Sequence, residues 1–195
     1  MNTQSPKVII IAGPNGGGKS TLAPHLLKDT FGLLEYVNAD TIAQGLSAFS
    51  PESVAFEAGR IMLKRLHNLA EARESFAFES TLASRSYVSW INDLKKHGYS
   101  FHLIYLWLRS PELAVERVRE RVRLGGHDVP EPIIHRRYLR GLRNLFALYQ
   151  LLANTWAIYD NSTSANPVII ATGKNSSDIT ISNESLWREI REVSQ

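Results

Sequence analysis

Two spacings of apolar residues alternate along this chain. Val8-Ile9-Ile10-Ile11-Ala12 is continuous, largely β-branched, and stops at glycine, which predicts a strand buried on both faces. A helix is expected over Lys19–Asp29, then a second strand over Glu35–Asn38. From Pro51 to Glu74 the apolar positions Val54, Ala55, Ala58, Ile61, Met62, Leu66 and Leu69 recur at helical spacing. Ser75–Phe78 predicts the third strand, Ser84–His97 a helix closed by Gly98, and Ser100–Leu108 another strand. Ser110-Pro111-Glu112 opens a helix that runs over Leu113–Leu124 to Gly125-Gly126, and Pro130–Leu152 continues in helical spacing. Trp156–Tyr159 and Val168–Ala171 are expected as the last strands, and Leu186–Val193 as a closing helix. This alternation predicts a P-loop NTPase/kinase-like α/β sandwich of three layers. Its sheet should be mostly parallel, with about five or six strands. We expect one domain over residues 1–195, with a helical lid near residues 117–140.

Bulk properties narrow the function classes. A net charge of +3 suits an enzyme handling phosphates but is too small to indicate a nucleic-acid binder. With no cysteine, disulfides and thiolate metal sites are excluded, which fits a reducing cytosol. The run Val8–Ala12 is too short for a signal-peptide core or a membrane span, so a cytoplasmic protein with no membrane partner is expected.

The chemistry begins at Gly13-Pro14-Asn15-Gly16-Gly17-Gly18-Lys19-Ser20, followed by Thr21. The segment fits the P-loop pattern at every fixed position and lies between a predicted strand and a predicted helix. Its glycines let backbone N–H groups turn inward around a phosphate, and the helix start adds its positive end. Lys19 would reach the β- and γ-phosphates of ATP, and the Ser20 hydroxyl suits Mg²⁺.

Ligands of such sheets lie beyond the C-terminal ends of the strands. Asp40 and Glu79 fall there. Asp40, expected one strand along from the P-loop strand, is the candidate base for an acceptor hydroxyl and a second candidate for Mg²⁺. The alternative is that it caps a helix beginning at Thr41. Glu79 reads as a substrate contact or as an exposed strand-end residue. Arg117 and Arg121 share a helix face, as do Arg119 and Arg123. Arg136, Arg137 and Arg140 follow; two or three of all these arginines are expected to reach the nucleotide, the others forming a solvated face paired with Glu112, Glu116 and Glu120. Arg123 and Arg136 flank the glycine turn that a closing lid needs. The same turn carries His127 and Asp128, candidates for substrate contact, although a loop histidine is commonly a surface residue.

These features resemble the zeta-toxin family of P-loop kinases, especially its compact stand-alone members. The resemblance runs over about Val8–Asp160. Its specific parts are Asn38-Ala39-Asp40, Phe78-Glu79-Ser80-Thr81, and Gly125-Gly126-His127-Asp128-Val129-Pro130 followed by Arg136-Arg137-Tyr138. It implies transfer of phosphate from ATP, with Mg²⁺, to the sugar of UDP-N-acetylglucosamine. It further implies that Asp40 is the catalytic aspartate, that Glu79 and Thr81 contact the sugar nucleotide, and that Arg123 and Arg136 embrace the phosphates. Where the family carries an arginine soon after its aspartate, this chain has Thr41-Ile42-Ala43. The chain is also shorter than the toxins. An antitoxin partner is left open, with no segment pointing to one.

Other P-loop classes fit less well. An ABC-type motor needs an acidic pair after a long apolar strand, and Ser100–Leu108 is followed by Arg109-Ser110. A polynucleotide kinase needs aromatics in a basic groove, whereas the four tryptophans are scattered. An ATPase or nucleotide-dependent interaction protein without a small-molecule acceptor is the remaining alternative; intact Lys19, Ser20 and Asp40 argue against it.

Overall fold

The computed structural model describes residues 5–27, 32–33, 35–163, 166–175 and 178–194. The elements in chain order are β1 (Lys7–Ala12), α1 (Lys19–His25), β2 (Tyr36–Val37), α2 (Ala39–Leu46), a 3₁₀ turn (Pro51–Val54), α3 (Ala55–Glu71), β3 (Phe76–Ser80), α4 (Ser86–Lys96), β4 (Ser100–Trp107), α5 (Pro111–Arg123), α6 (Glu131–Asn144), a wide helical turn (Leu145–Tyr149), α7 (Gln150–Leu152), β5 (Thr155–Asp160), β6 (Val168–Lys174), β7 (Asp178–Ile181) and α8 (Glu184–Val193). The far end of the helix expected over Lys19–Asp29 falls on residues 28–29, outside the described residues.

The sheet has seven strands in the order β2-β3-β1-β4-β5-β6-β7, more than the five or six expected. The first five are parallel; β6 and β7 are added antiparallel. β7 escaped the sequence reading because it is short and mostly exposed, with only two apolar residues in Asp-Ile-Thr-Ile. A second correction concerns the expected neighbour relation. β3 lies between β1 and β2, so Asp40, just past β2, sits two strands from the P-loop strand and not one.

The continuous apolar run of β1 is explained by two buried faces. Val8, Ile10 and Ala12 enter a large cluster with residues of α3, α4, α5, α6 and α8, while Ile9 and Ile11 enter a smaller one closed by Ala23 of α1 and Leu27. Every side chain of the run is fully buried, so each contributes the full hydrophobic transfer term.

Two contacts link this core to the end of the sheet where ligands bind. Trp107 Nε1 donates to the Tyr138 hydroxyl at 3.1 Å, which donates to the Leu108 carbonyl at 2.6 Å; this chain ties α6 to the end of β4. Gly141, one turn further along α6, packs so tightly that a Cβ there would lie 2.2 Å from the Thr81 carbonyl. That close approach sets Arg137, four residues earlier and on the same face, over the end of β3. Removing the Tyr138 hydroxyl (Tyr138→Phe) strands a buried donor and weakens the tie. We expect a loss of about 1–3 kcal/mol in denaturant unfolding, seen as a lower midpoint at unchanged slope.

Candidate functional site

The P-loop follows from its glycines. Gly13, Gly16 and Gly18 have φ of 145°, 74° and 81°, in the left-handed half of backbone space. At Gly13 a Cβ would stand 2.3 Å from the Leu106 carbonyl, so this turn must be glycine for the loop to leave β1 beside β4. Within the loop, Gly17 N–H donates to the Pro14 carbonyl at 3.0 Å. The Lys19 ammonium donates to the carbonyls of Gly13 (3.1 Å) and Pro14 (2.8 Å), which lays the side chain back over the loop. Burial lowers the Lys19 pKa, while Glu79 and Asp40 oppose that shift, so both carboxylates face the lysine.

Across the loop stands a group of polar side chains from the ends of β2 and β3. Asn38 is the N-cap of α2: its Oδ1 accepts from Asp40 N at 2.7 Å and Thr41 N at 3.3 Å. Its Nδ2 donates to Ser20 Oγ at 3.3 Å, joining cap to P-loop. The helix therefore begins at Ala39, and the capping task once considered for Asp40 belongs to Asn38. Among the described residues the Asp40 carboxylate accepts no hydrogen bond, and it is exposed to the cleft. Glu79 accepts from the Tyr36 hydroxyl. Burial and this carboxylate raise the Tyr36 pKa far above its ordinary value, so Tyr36 stays a neutral donor.

These groups border one cleft of about 740 Å³, lined by the P-loop residues from Asn15 to Thr21, by Asn38, Asp40, Glu79 and Thr81, and by residues of α3, α5 and α6. The lid arginines divide by helix phase. Arg117 and Arg121 of α5 and Arg137 of α6 line the cleft. Arg123 borders a separate groove with Asp128, and Arg119 pairs with Glu131 at 2.6 Å. The cleft thus receives Arg121 and Arg137 where the sequence suggested Arg123 and Arg136. The shift is one of face: Arg121 lies on the face of Arg117, whereas Arg123 is about 200° round the helix from it. Of the pair in the glycine turn, His127 lines the cleft and Asp128 does not.

Among the described residues the buried side-chain atoms without a hydrogen-bond partner are Asn15 Oδ1, Arg121 Nε and His127 Nδ1. All three residues line this cleft. His127 Nδ1 lies 3.8 Å from Glu52 Oε2, too far for a hydrogen bond. Orphaned buried polar atoms are costly in a folded protein, and their concentration here marks a place where a polar ligand completes the bonding. Arg121 donates to the His127 carbonyl at 2.6 Å, which holds the turn over the P-loop. Burial lowers the Arg137 pKa and the Asp40 charge opposes that shift; both residues line the cleft.

Tyr36 has no role in the sequence reading, Asn38 and Arg137 enter it only as parts of motifs, and Arg121 and Arg137 stand among the arginines of which two or three are expected to reach the nucleotide, without being singled out. For Asn38 a signal existed, since Asn directly before a helix start is a favoured cap. For the arginines none did, because helix phase relative to the cleft is a tertiary quantity.

A phosphate cradle, carboxylates on the same cleft and arginines from α5 and α6 define a P-loop nucleotide-binding protein of the kinase-like α/β class. The zeta toxin family model matches residues 1–179, and the chain belongs to the zeta-toxin family. It is 31% identical over 132 residues to an uncharacterized protein of Haemophilus influenzae, covering 68% of this chain and 92% of that protein. Among solved structures, it resembles a chain of the AvrRxo1-ORF1:AvrRxo1-ORF2 complex with sulphate ions at TM-score 0.76 and 17% identity, covering all of this chain and 66% of that one. A chain of the PezAT chromosomal toxin-antitoxin system of Streptococcus pneumoniae matches at TM-score 0.65 and 15% identity, covering 100% of this chain and 86% of that one. A gluconokinase from Sinorhizobium meliloti matches at TM-score 0.51 and 17% identity, covering 82% and 85%. The chain thus spans just under two thirds of the AvrRxo1 chain. Family and fold together support a kinase-type enzyme using ATP. Among the described residues no helix is long and apolar enough to cross a membrane.

Proposed function

We propose that this protein transfers the γ-phosphoryl group of ATP to a hydroxyl of a small molecule, a UDP-N-acetylglucosamine-like sugar nucleotide being the acceptor that family membership favours. The observation that carries the reading is the Asp40 carboxylate, which lines the cleft together with Lys19 and Arg137 and, among the described residues, accepts no hydrogen bond. In the transfer, the acceptor oxygen bonds to the γ-phosphorus and the bond from that phosphorus to the β–γ bridging oxygen breaks, leaving ADP. Asp40 takes the hydroxyl proton. Gly13–Thr21 hold the triphosphate, and Lys19 swings from the Gly13 and Pro14 carbonyls to the β- and γ-phosphates. Arg121 and Arg137 offset the negative charge that develops between the two oxygens. Glu79 and Thr81, at the end of β3, orient the acceptor, with His127 closing over it.

Mg²⁺ would be held by the Ser20 hydroxyl, phosphate oxygens and water, with Asp40 within reach as a further oxygen donor. This hard-oxygen set fits Mg²⁺. Bound there, Mg²⁺ supplies charge neutralisation on the β- and γ-phosphates. A cytoplasmic location is the proposal that goes with the use of ATP, since ATP is supplied there. A protein partner of antitoxin type is a matching expectation, because the PezAT structure is of a toxin-antitoxin system.

The reading is tested by incubating the protein with labelled ATP and a panel of sugar nucleotides, nucleosides and sugar acids. A phosphorylated UDP-N-acetylglucosamine is the expected product. Lys19→Ala should abolish product and remove most of the rise in melting temperature given by Mg-ATP. An unchanged thermal shift in Lys19→Ala would end the nucleotide assignment. ATP hydrolysis with no labelled acceptor in any arm would favour the ATPase alternative.

A further inference from the structure

We propose that Asn161 is a positioning residue for the phosphate cradle, fixing the Gly17–Gly18 peptide so that the Gly18 N–H faces the nucleotide phosphates. The residue lies just after β5, far from the P-loop in sequence. Its Nδ2 donates to the Gly17 carbonyl at 3.0 Å. In a planar trans peptide the C=O and the following N–H point in opposite directions. Asn161 is not among the residues that line the cleft, whereas Gly17 and Gly18 are, so holding the Gly17 carbonyl toward Asn161 turns the Gly18 N–H the opposite way, toward the cleft. The steric record agrees. A Cβ on Gly18 would lie 2.5 Å from Asn161 Nδ2, so the amide is pressed against the loop at this peptide.

The need for an outside brace comes from the loop's composition. Two adjacent glycines carry little intrinsic preference for one orientation of the peptide between them. Gly17 N–H is fixed by the Pro14 carbonyl at 3.0 Å, but that bond does not set the Gly17 carbonyl. Asn161 does, and it is rigidly mounted. Its own N–H donates to the Trp107 carbonyl at 2.9 Å, at the end of β4. The preceding Asp160 is buried and accepts from Arg109 Nε and Nη2 at 3.1 and 3.0 Å, and from Ser162 N at 2.9 Å. The donor is thus delivered from the sheet, and the loop need not be ordered by the ligand.

The test measures binding and needs no acceptor, so its failure is separate from failure of the kinase reading. Affinities for Mg-ATP and for Mg-tripolyphosphate are measured by calorimetry on wild type, Asn161→Ala, Asn161→Ser and Asn161→Gln. Both ligands should bind roughly five- to tenfold more weakly to the Ala and Ser variants, with the ratio between ligands unchanged. Gln, which keeps the amide donor, should recover part of the loss. Should Ala fail to fold, the Ser variant alone decides. Unchanged affinities in a folded variant would overturn the proposal. A loss confined to ATP would also overturn it, because it would place Asn161 at the nucleoside. A lowered ligand-free melting temperature with unchanged affinities would leave Asn161 a purely structural residue.

Discussion

Replacing Arg121 or Arg137 by alanine is expected to lower phosphoryl-transfer kcat/KM by roughly 10²-fold or more, with most of the loss in kcat. Both side chains reach the cleft, Arg121 from α5 and Arg137 from α6, and both have Lys19 within electrostatic range. Each is held at some cost. Among the described residues the Nε of Arg121 is buried without a partner, and burial works against the charge of Arg137. A protein keeps such groups where they gain a partner, and the charge that grows between acceptor and leaving oxygen supplies one. Lysine should not restore Arg121, since it lacks the planar fork that can bond one oxygen while Nη2 keeps its bond to the His127 carbonyl. Arg119→Ala is the control. It breaks only an exposed pair with Glu131 and should leave kcat/KM near wild type. Equal activity in Arg119→Ala, Arg121→Ala and Arg137→Ala would return all three to the solvated surface.

What the sequence revealed and what it hid divide along a physical line. The P-loop was legible because its chemistry is local: glycines at positive φ, a lysine and a serine at fixed offsets, all between one strand and one helix. The burial of β1 on both faces was legible from five apolar residues in a row. Relations between distant segments were not. The place of β3 between β1 and β2 depends on how a crossover returns to the sheet, and no residue pattern in Tyr36–Val37 encodes it. The choice between Arg121 and Arg123 turns on two helix positions, smaller than the error of a helix boundary read from sequence. Asn161 carries no motif at all; only the 3.0 Å bond to Gly17 singles it out. The capping of α2 lies between these cases, since asparagine and aspartate two residues apart are both good caps and the backbone decides which one serves.

That decision sharpens the remaining prediction, Asp40→Asn. Asn38 takes both cap bonds, so Asp40 owes the helix nothing beyond a favourable charge in its first turn, worth about 0.3–1 kcal/mol at an exposed site. The variant should therefore fold and unfold nearly as wild type. It keeps the size of the side chain but loses the proton acceptor, and phosphoryl transfer should fall by ~10²-fold or more. The neighbouring arginine offers a second readout. Asp40 opposes the effect of burial on Arg137, so removing its charge should lower the Arg137 pKa further in the unliganded cleft. If Asp40 acts only as base, Mg-ATP should bind the variant with wild-type affinity while transfer collapses. If it also holds Mg²⁺, affinity and transfer should fall together, and raising Mg²⁺ should recover part of the binding but not the transfer. Titrating Mg-ATP and timing transfer on one preparation separates these outcomes. Full transfer activity in Asp40→Asn would remove Asp40 from the mechanism and leave Glu79, the other carboxylate facing Lys19, as the group to test next.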